Sequence, residues 1–195
     1  MGTEHAIVHG LRVTYEVDGQ GPVVLFIHGW AGYRLQWREA PKFLTGFKVI
    51  ALDLHGFGES EESPNISAPE DYVEPVCGFI QSLNIEQLVL VGHSAGGIVA
   101  ANVALRLPNK VNGLVLVEVP VGKELQSARF PILLIFGNRD SDMMGLTRFQ
   151  VTNTQLANIP STDVQFIKNA GHNPMLENAA EFYDVVRDFA ERTSA

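Results

Sequence analysis

Five short runs in this 195-residue chain are almost wholly apolar: 23–27, 48–52, 88–91, 114–119 and 132–136. A strand with one face in water alternates apolar and polar residues. A strand covered on both faces has no reason to alternate. Five such runs, each followed by a turn and most by a helical stretch, restrict the chain to a mostly parallel sheet with helices on both sides. Run 11–17 alternates better and suits an antiparallel edge pair with 6–8, and run 164–168 brings the sheet to about eight strands. Helical stretches are expected at 35–44, 69–83, 95–107, 124–128, 146–158 and 179–192, with Ser67 a possible N-cap for the second. Stretch 95–107 carries Ala95, Gly96, Gly97, Ala100, Ala101 and Ala104, small enough to let a helix approach the sheet closely. The last stretch sets Phe182, Val185, Val186 and Phe189 on one face. The expected fold is α/β, a twisted, mostly parallel sheet flanked by helices. Residues 1–195 form one domain of a size that supports a single core.

Composition removes several function classes. The net charge is −8 and the basic residues are scattered, which argues against a nucleic-acid surface. Cys77 is the sole cysteine, so no internal disulfide or cysteine zinc cluster can form, and a buried structural thiol is expected. No apolar run approaches a membrane span, and the first residues lack the pattern of a signal peptide. Met-Gly at the start invites myristoylation, but Ala6 stands where Ser or Thr is wanted. The expectation is a soluble, cytoplasmic protein with no membrane partner.

Run 88–91 leads directly into VGHSAGG and then a helix. Gly92-His93-Ser94-Ala95-Gly96 is a G-x-S-x-G pattern, made specific by its place between an apolar strand and a small-residue helix. Such a turn is so tight that glycines must flank the serine, and it presents the hydroxyl at the strand's C-terminal end beside the free N–H groups of a helix start. A phosphate loop is the competing reading, but both G-x-G-x-x-G and G-x-x-x-x-G-K-[ST] are absent. Ser94 is therefore the candidate nucleophile.

A serine nucleophile needs a base. Of six histidines, His5 and His9 fall in the N-terminal strand region and are expected at the surface. His93 lies inside the turn, where its ring should point away from Ser94. His55 lies in DLHGFGES and His28 in IHGW. His172, in NAGHNPMLEN, follows a strand and shares the rim expected for Ser94, so it is the candidate base over a capping or surface role. Asp53 and His55 resemble a metal pair, but no convincing third ligand accompanies them, and no metal is expected.

The stretches VVLFIHGW, VIALDLHGFGES, LVLVGHSAGG, PILLIFGNRD and AGHNPMLEN, in this order, resemble the α/β-hydrolase superfamily over nearly the whole chain. The resemblance is greatest to its small esterases, carbon–carbon bond hydrolases and cofactor-free haloperoxidases. It implies the order nucleophile, acid, histidine: Ser94, Asp140, His172. It also implies an oxyanion hole made by the backbone N–H groups of Trp30 and Ala95. The DLHGFGES stretch would be a structural turn organised by Asp53. Met143 and Met144 would line a pocket or pack in the core.

Two acids compete for the third position. Glu118 and Asp140 both follow apolar runs at one sheet edge. The superfamily's usual placement favours Asp140, with Glu118 the rival and Asp142 a minor candidate. Most relatives insert a cap of several helices between these two strands. Here only PVGKELQSAR intervenes, enough for a bare crossover. The resemblance thus implies a capless core with an open site and weak acyl-chain selection, acting on small acyl esters without a cofactor. Apolar surface left near Trp30, Phe57, Met143 and Met144 would favour self-association. The same residues would also serve a thioesterase, perhydrolase or carbon–carbon hydrolase. The serine speaks against dehalogenases and epoxide hydrolases, which use an aspartate there. A ligand-binding receptor or regulator, or a weakly active scaffold of the same fold, is the alternative.

Overall fold

The computed structural model describes residues 1–119, 123–139, 159 and 161–194. An eight-stranded sheet runs through it in the order β1-β2-β4-β3-β5-β6-β7-β8. The strands are β1 Gly2–Val8, β2 Leu11–Asp18, β3 Val23–Ile27, β4 Lys48–Leu52, β5 Leu88–His93, β6 Val111–Val117, β7 Ile132–Gly137 and β8 Thr162–Ile167. β1 pairs antiparallel with β2, and β2 antiparallel with β4. Every other pairing is parallel. The edge hairpin and the parallel centre are those the alternation pattern calls for.

Alternate residues of the apolar strands feed two cores. Leu25, Ile27, Ile50, Leu52, Leu90 and Leu116 face α2 (Val73–Ser82) and α3 (Ala95–Arg106). Val24, Phe26, Val49, Val91 and Val117 face Trp37 and the residues Phe182, Tyr183, Val186 and Phe189 of the last helix, Ala179–Thr193. That helix is α5, after the short helices α1 Ala40–Phe43 and α4 Pro174–Glu177. α3 does lie close on the sheet: a Cβ added at Gly92 would sit 2.6 Å from Gly97 Cα and 2.7 Å from Ala100 Cβ.

Several boundaries differ from the sequence expectation. Stretch 35–44 is not one helix but a 3-10 turn, Arg34–Trp37, followed by α1. Pro41 stands in the first turn of α1, where its missing N–H costs nothing; inside a longer helix it would remove a hydrogen bond. Stretch 69–83 opens as a 3-10 turn, Pro69–Tyr72, whose N-cap is Ala68 rather than Ser67. Asp71 closes that turn by accepting from the N–H groups of Ser67 and Ala68. Stretch 124–128 is the 3-10 turn Lys123–Ser127. β6 begins earlier than the apolar run and stops before Glu118. The expected helix 146–158 lies outside the described residues.

No inserted domain separates β6 from β7. Residues 118–131 join them, and the two strands are paired from Leu114 with Ile132 to Val117 with Ile135. Among the described residues no helix is long and apolar enough to cross a membrane. Cys77 is buried, and burial pushes its thiol pKa up.

Candidate active site

The sheet order creates the site. From β3 the chain moves to β4 on one side, then returns to place β5 on the other side of β3. The connections therefore part between β3 and β5, at the C-terminal edge, where α/β sheets leave a crevice. Because β3 to β8 are parallel, the segments after each of them emerge on this one edge. They carry His28, Asp53, Ser94, Glu118, Asn138 and His172.

Ser94 lies between β5 and α3 with φ 51° and ψ −124°, a left-handed conformation unfavourable for a residue with a side chain. The turn survives because it is packed from every side. Ser94 N–H donates to Val117 O at 2.9 Å, and Ser94 O accepts from Gly97 N–H at 2.8 Å. A Cβ on Gly96 would strike His28 O, and one on Gly29 would lie 3.1 Å from Ser94 Cβ. The glycines are thus required by contact as well as by the turn. The leading N–H groups of α3, Ala95 included, have no carbonyl one turn back to bond.

The loop after β3 is fixed by a buried histidine. Leu54 N–H donates to His28 Nε2 at 3.0 Å, so the ring proton is on Nδ1, which donates to Gly29 O at 2.8 Å. Gly29 O also accepts from Gly32 N–H at 3.0 Å. That carbonyl shares a planar peptide with Trp30 N–H, so both bonds set the direction of the Trp30 donor. Burial pushes the His28 pKa down and keeps the ring neutral. Trp30's indole is 61% exposed, with its ring centroid 5.4 Å from that of Phe57. Beside Trp30 and Ala95, the side chains of Phe57, Tyr72 and Val99 enclose an apolar cavity of about 10 Å³.

The turn after β4 is structural, as the resemblance implied. Asp53 is wholly buried and accepts from Arg34 N–H at 2.6 Å, from the Arg34 guanidinium at 2.5 Å and from Glu59 N–H at 2.9 Å. A Cβ on Gly58, at φ 54°, would strike the Asp53 carboxylate. Asp53 is therefore fully engaged by protein donors. Among the described residues no group of three or more His, Cys, Asp or Glu side chains is placed to hold a metal ion.

His172 is half-buried, on the segment between β8 and α4. Its neighbours Gly171 and Asn173 each donate an N–H to the Glu177 carboxylate at 3.1 Å. Glu177 is in turn held by the Arg139 guanidinium at 2.7 Å. From the other side, His93 Nε2 lies 2.7 Å from His172 O. This bond joins the segment of the candidate base to the residue preceding the candidate nucleophile, so the structure brings those two segments together. The bond of His93 to His172, and the clamp of Glu177 and Arg139, were not legible in the chain. His5 and His9 are exposed.

The acids are placed unequally. Glu118 is buried, has φ 55°, and accepts from Gly137 N–H at the end of β7. It thus holds the ends of two strands together. Asp140, Asp142, Met143 and Met144 lie outside the described residues. The residue before Asp140, Arg139, donates its N–H to Ala170 O at 2.9 Å, beside the base segment.

With this geometry in view, residues 22–130 match the family model described as alpha/beta hydrolase fold. The chain belongs to that family. This alpha/beta hydrolase is 33% identical over 133 residues to epoxide hydrolase 2 of Siraitia grosvenorii, a match covering 65% of this chain and 42% of that protein. The chain thus spans less than half the length of that curated relative. Among solved structures it superposes on a predicted CIB-like hydrolase from Thermoplasma acidophilum with a TM-score of 0.84 at 21% identity, covering 98% of each chain. It superposes on a thermophilic esterase from Thermogutta terrifontis with a TM-score of 0.82 at 19% identity, covering 100% of each chain. At these identities the superpositions establish the fold.

Proposed function

We propose that the chain is a serine ester hydrolase acting on small carboxylic esters through an acyl-enzyme. The observation that carries this reading is Ser94 held at φ 51° between β5 and α3, with the His172 segment hydrogen-bonded to the residue beside it. In this reading Ser94 Oγ attacks the ester carbonyl and passes its proton to His172. The carbonyl oxygen becomes an oxyanion, met by the N–H groups of Trp30 and Ala95. Collapse expels the alcohol, which takes the proton from His172. Water then repeats the sequence on the acyl-enzyme and releases the acid. Asp140 orients His172, and no cofactor takes part.

The epoxide hydrolase relative raises another chemistry, and Ser94 argues against it. A carboxylate that opens an epoxide forms an ester, which water can cleave. A serine would form an ether, which would trap the enzyme.

The apolar cavity narrows the expectation of weak chain-length selection. Its volume of about 10 Å³ holds roughly one methyl-sized group. If the acyl group enters it from the oxyanion site, acetyl esters are the preferred substrates. On the capless reading, nothing on the alcohol side selects against bulk. Exposed Trp30 also supports self-association, read by size exclusion against concentration.

A fluorophosphonate label with an acetyl ester assay tests the reading. Labelling and turnover are expected in the wild type and lost in Ser94→Ala. Labelling without turnover would favour a ligand-binding regulator, and absence of labelling would exclude a serine enzyme. Asp140→Asn should lower kcat by roughly 10⁴-fold, as loss of a triad acid can. Such a loss in Glu118→Gln with a stable fold, and not in Asp140→Asn, would move the acid to Glu118.

A further inference from the structure

We infer that His93, the residue before the nucleophile, is a positioning residue whose imidazole sets where the base segment stands relative to Ser94. The inference rests on the reading of Ser94 and His172 given above. His93 is 4% exposed, and its Nε2 lies 2.7 Å from His172 O. A carbonyl only accepts, so Nε2 carries the proton and donates. Nδ1 is then unprotonated, and among the described residues it is buried without a hydrogen-bond partner. An unpaired buried nitrogen is destabilising, and an apolar ring would fit the same space without it. What the imidazole contributes here is the Nε2 donor.

The ring lies where three parts of the site meet. The centroids of the His93 and His172 rings are 4.9 Å apart. On the oxyanion side, a Cβ added at Gly29 would lie 2.9 Å from His93 Nδ1. Behind it stands Trp37, with ring centroids 6.5 Å apart. Because His93 and Ser94 are adjacent in the chain, the bond to His172 O ties base to nucleophile through one peptide unit. Glu177 grips the N–H groups flanking His172, but from the outer side and through a partly exposed carboxylate. Among the described residues, the titratable groups that act on His93 are His172 and His28. Burial holds the His93 pKa down at about 4, so no like charge opposes the imidazolium that forms on His172.

Two complementary variants test this. His93→Phe keeps a ring and removes the donor. His93→Gln removes the ring and keeps an N–H donor near the position of Nε2. In His93→Phe, kcat for an acetyl ester should fall at least about tenfold while KM stays within about twofold, since misplacing a catalytic group slows chemistry without weakening substrate contacts. His93→Gln should recover most of the loss. Independently of activity, amide hydrogen exchange at residues 170–173 should rise by about tenfold or more in His93→Phe and much less in His93→Gln. The inference is overturned if His93→Phe keeps its kcat, if both variants fall equally, or if exchange in the segment is unchanged. Failure of the wild type to label or turn over would instead overturn the reading of Ser94, and the exchange data would still decide whether the tether exists.

Discussion

The turns after β4 and β5 flank the β3 loop on one sheet edge and are held by opposite means. The β5 turn is held by backbone contact: Gly96 against His28 O, Gly92 against α3, Gly29 against Ser94. The buried polar side chains against it, His93 and His28 of the neighbouring β3 loop, are kept neutral by burial. The β4 turn is held by charge, with Asp53 buried against Arg34, and Arg34 reaching Glu59 at 2.9 Å. The first tolerates no added atom and the second no lost charge. Contact fixes positions to fractions of an ångström, which the chemistry proposed at Ser94 requires. A charge pair fixes a loop's path, which is all the second turn must supply.

Four measurements would break or sharpen that contrast. Gly96→Ala should have the largest effect, because backbone at both ends of the clash leaves nothing to yield. It should lower kcat by about 100-fold or more as the oxyanion loop is displaced. A variant with near-normal kcat and melting temperature would show that the contact is not restrictive. Next, Asp53→Asn removes the nearest and most buried of the three carboxylates facing the Arg34 guanidinium and should cost about 3 kcal/mol in denaturant unfolding. Its kcat, measured on the folded fraction, should fall far less than that of Gly96→Ala.

Third, acidification probes the neutral side. An unfolded histidine takes up a proton near pH 6.5, whereas folded His93 does so only at about 4. Between those values the unfolded state binds more protons, so stability falls as pH is lowered. The loss attributable to His93 approaches roughly 3 kcal/mol, and burial of His28 adds to it in the same direction. Urea midpoints at pH 7 and pH 4.5 measure this, and His93→Gln should flatten the slope. A wild-type midpoint independent of pH would show that these rings are not buried neutral. The smallest effect should come from Val99→Ala, which enlarges the cavity beside Ala95. It should raise the butyrate-to-acetate ratio of kcat/KM by a few-fold, since a methylene in an apolar pocket is worth about 1–3 kcal/mol. An unchanged ratio would place the acyl group elsewhere.

Much of the fold was legible because burial on both faces leaves a direct mark: runs such as 23–27 and 48–52 coincide with β3 and β4. Where Gly113 and Asn112 break the apolar run, the start of β6 was missed, since pairing with β5 rather than side-chain pattern extends the strand. The helix expected at 35–44 failed at Pro41, a signal present in the chain but outweighed by apolar spacing. In the site, Ser94 could be named from its neighbours because a tight turn constrains composition. His93 could not be assigned its role: the middle positions of G-x-S-x-G are open in the pattern, and its partner is a backbone carbonyl, which any residue supplies. The backbone strain at Glu118 is equally silent in sequence, because nothing about a glutamate announces φ 55°.

The direct passage from β6 to β7 has a consequence for engineering. The two strands complete their pairing with only residues 118–131 between them, so closure of the sheet owes nothing to a module placed above it. Lengthening a loop that already spans its gap costs about 0.6 kcal/mol per doubling. A foreign module spliced there would emerge on the edge that carries Ser94 while leaving both cores untouched. The fold is in that sense a socket: the frame around Ser94 is permanent, and on the proposed reading substrate choice is a part that can be plugged in.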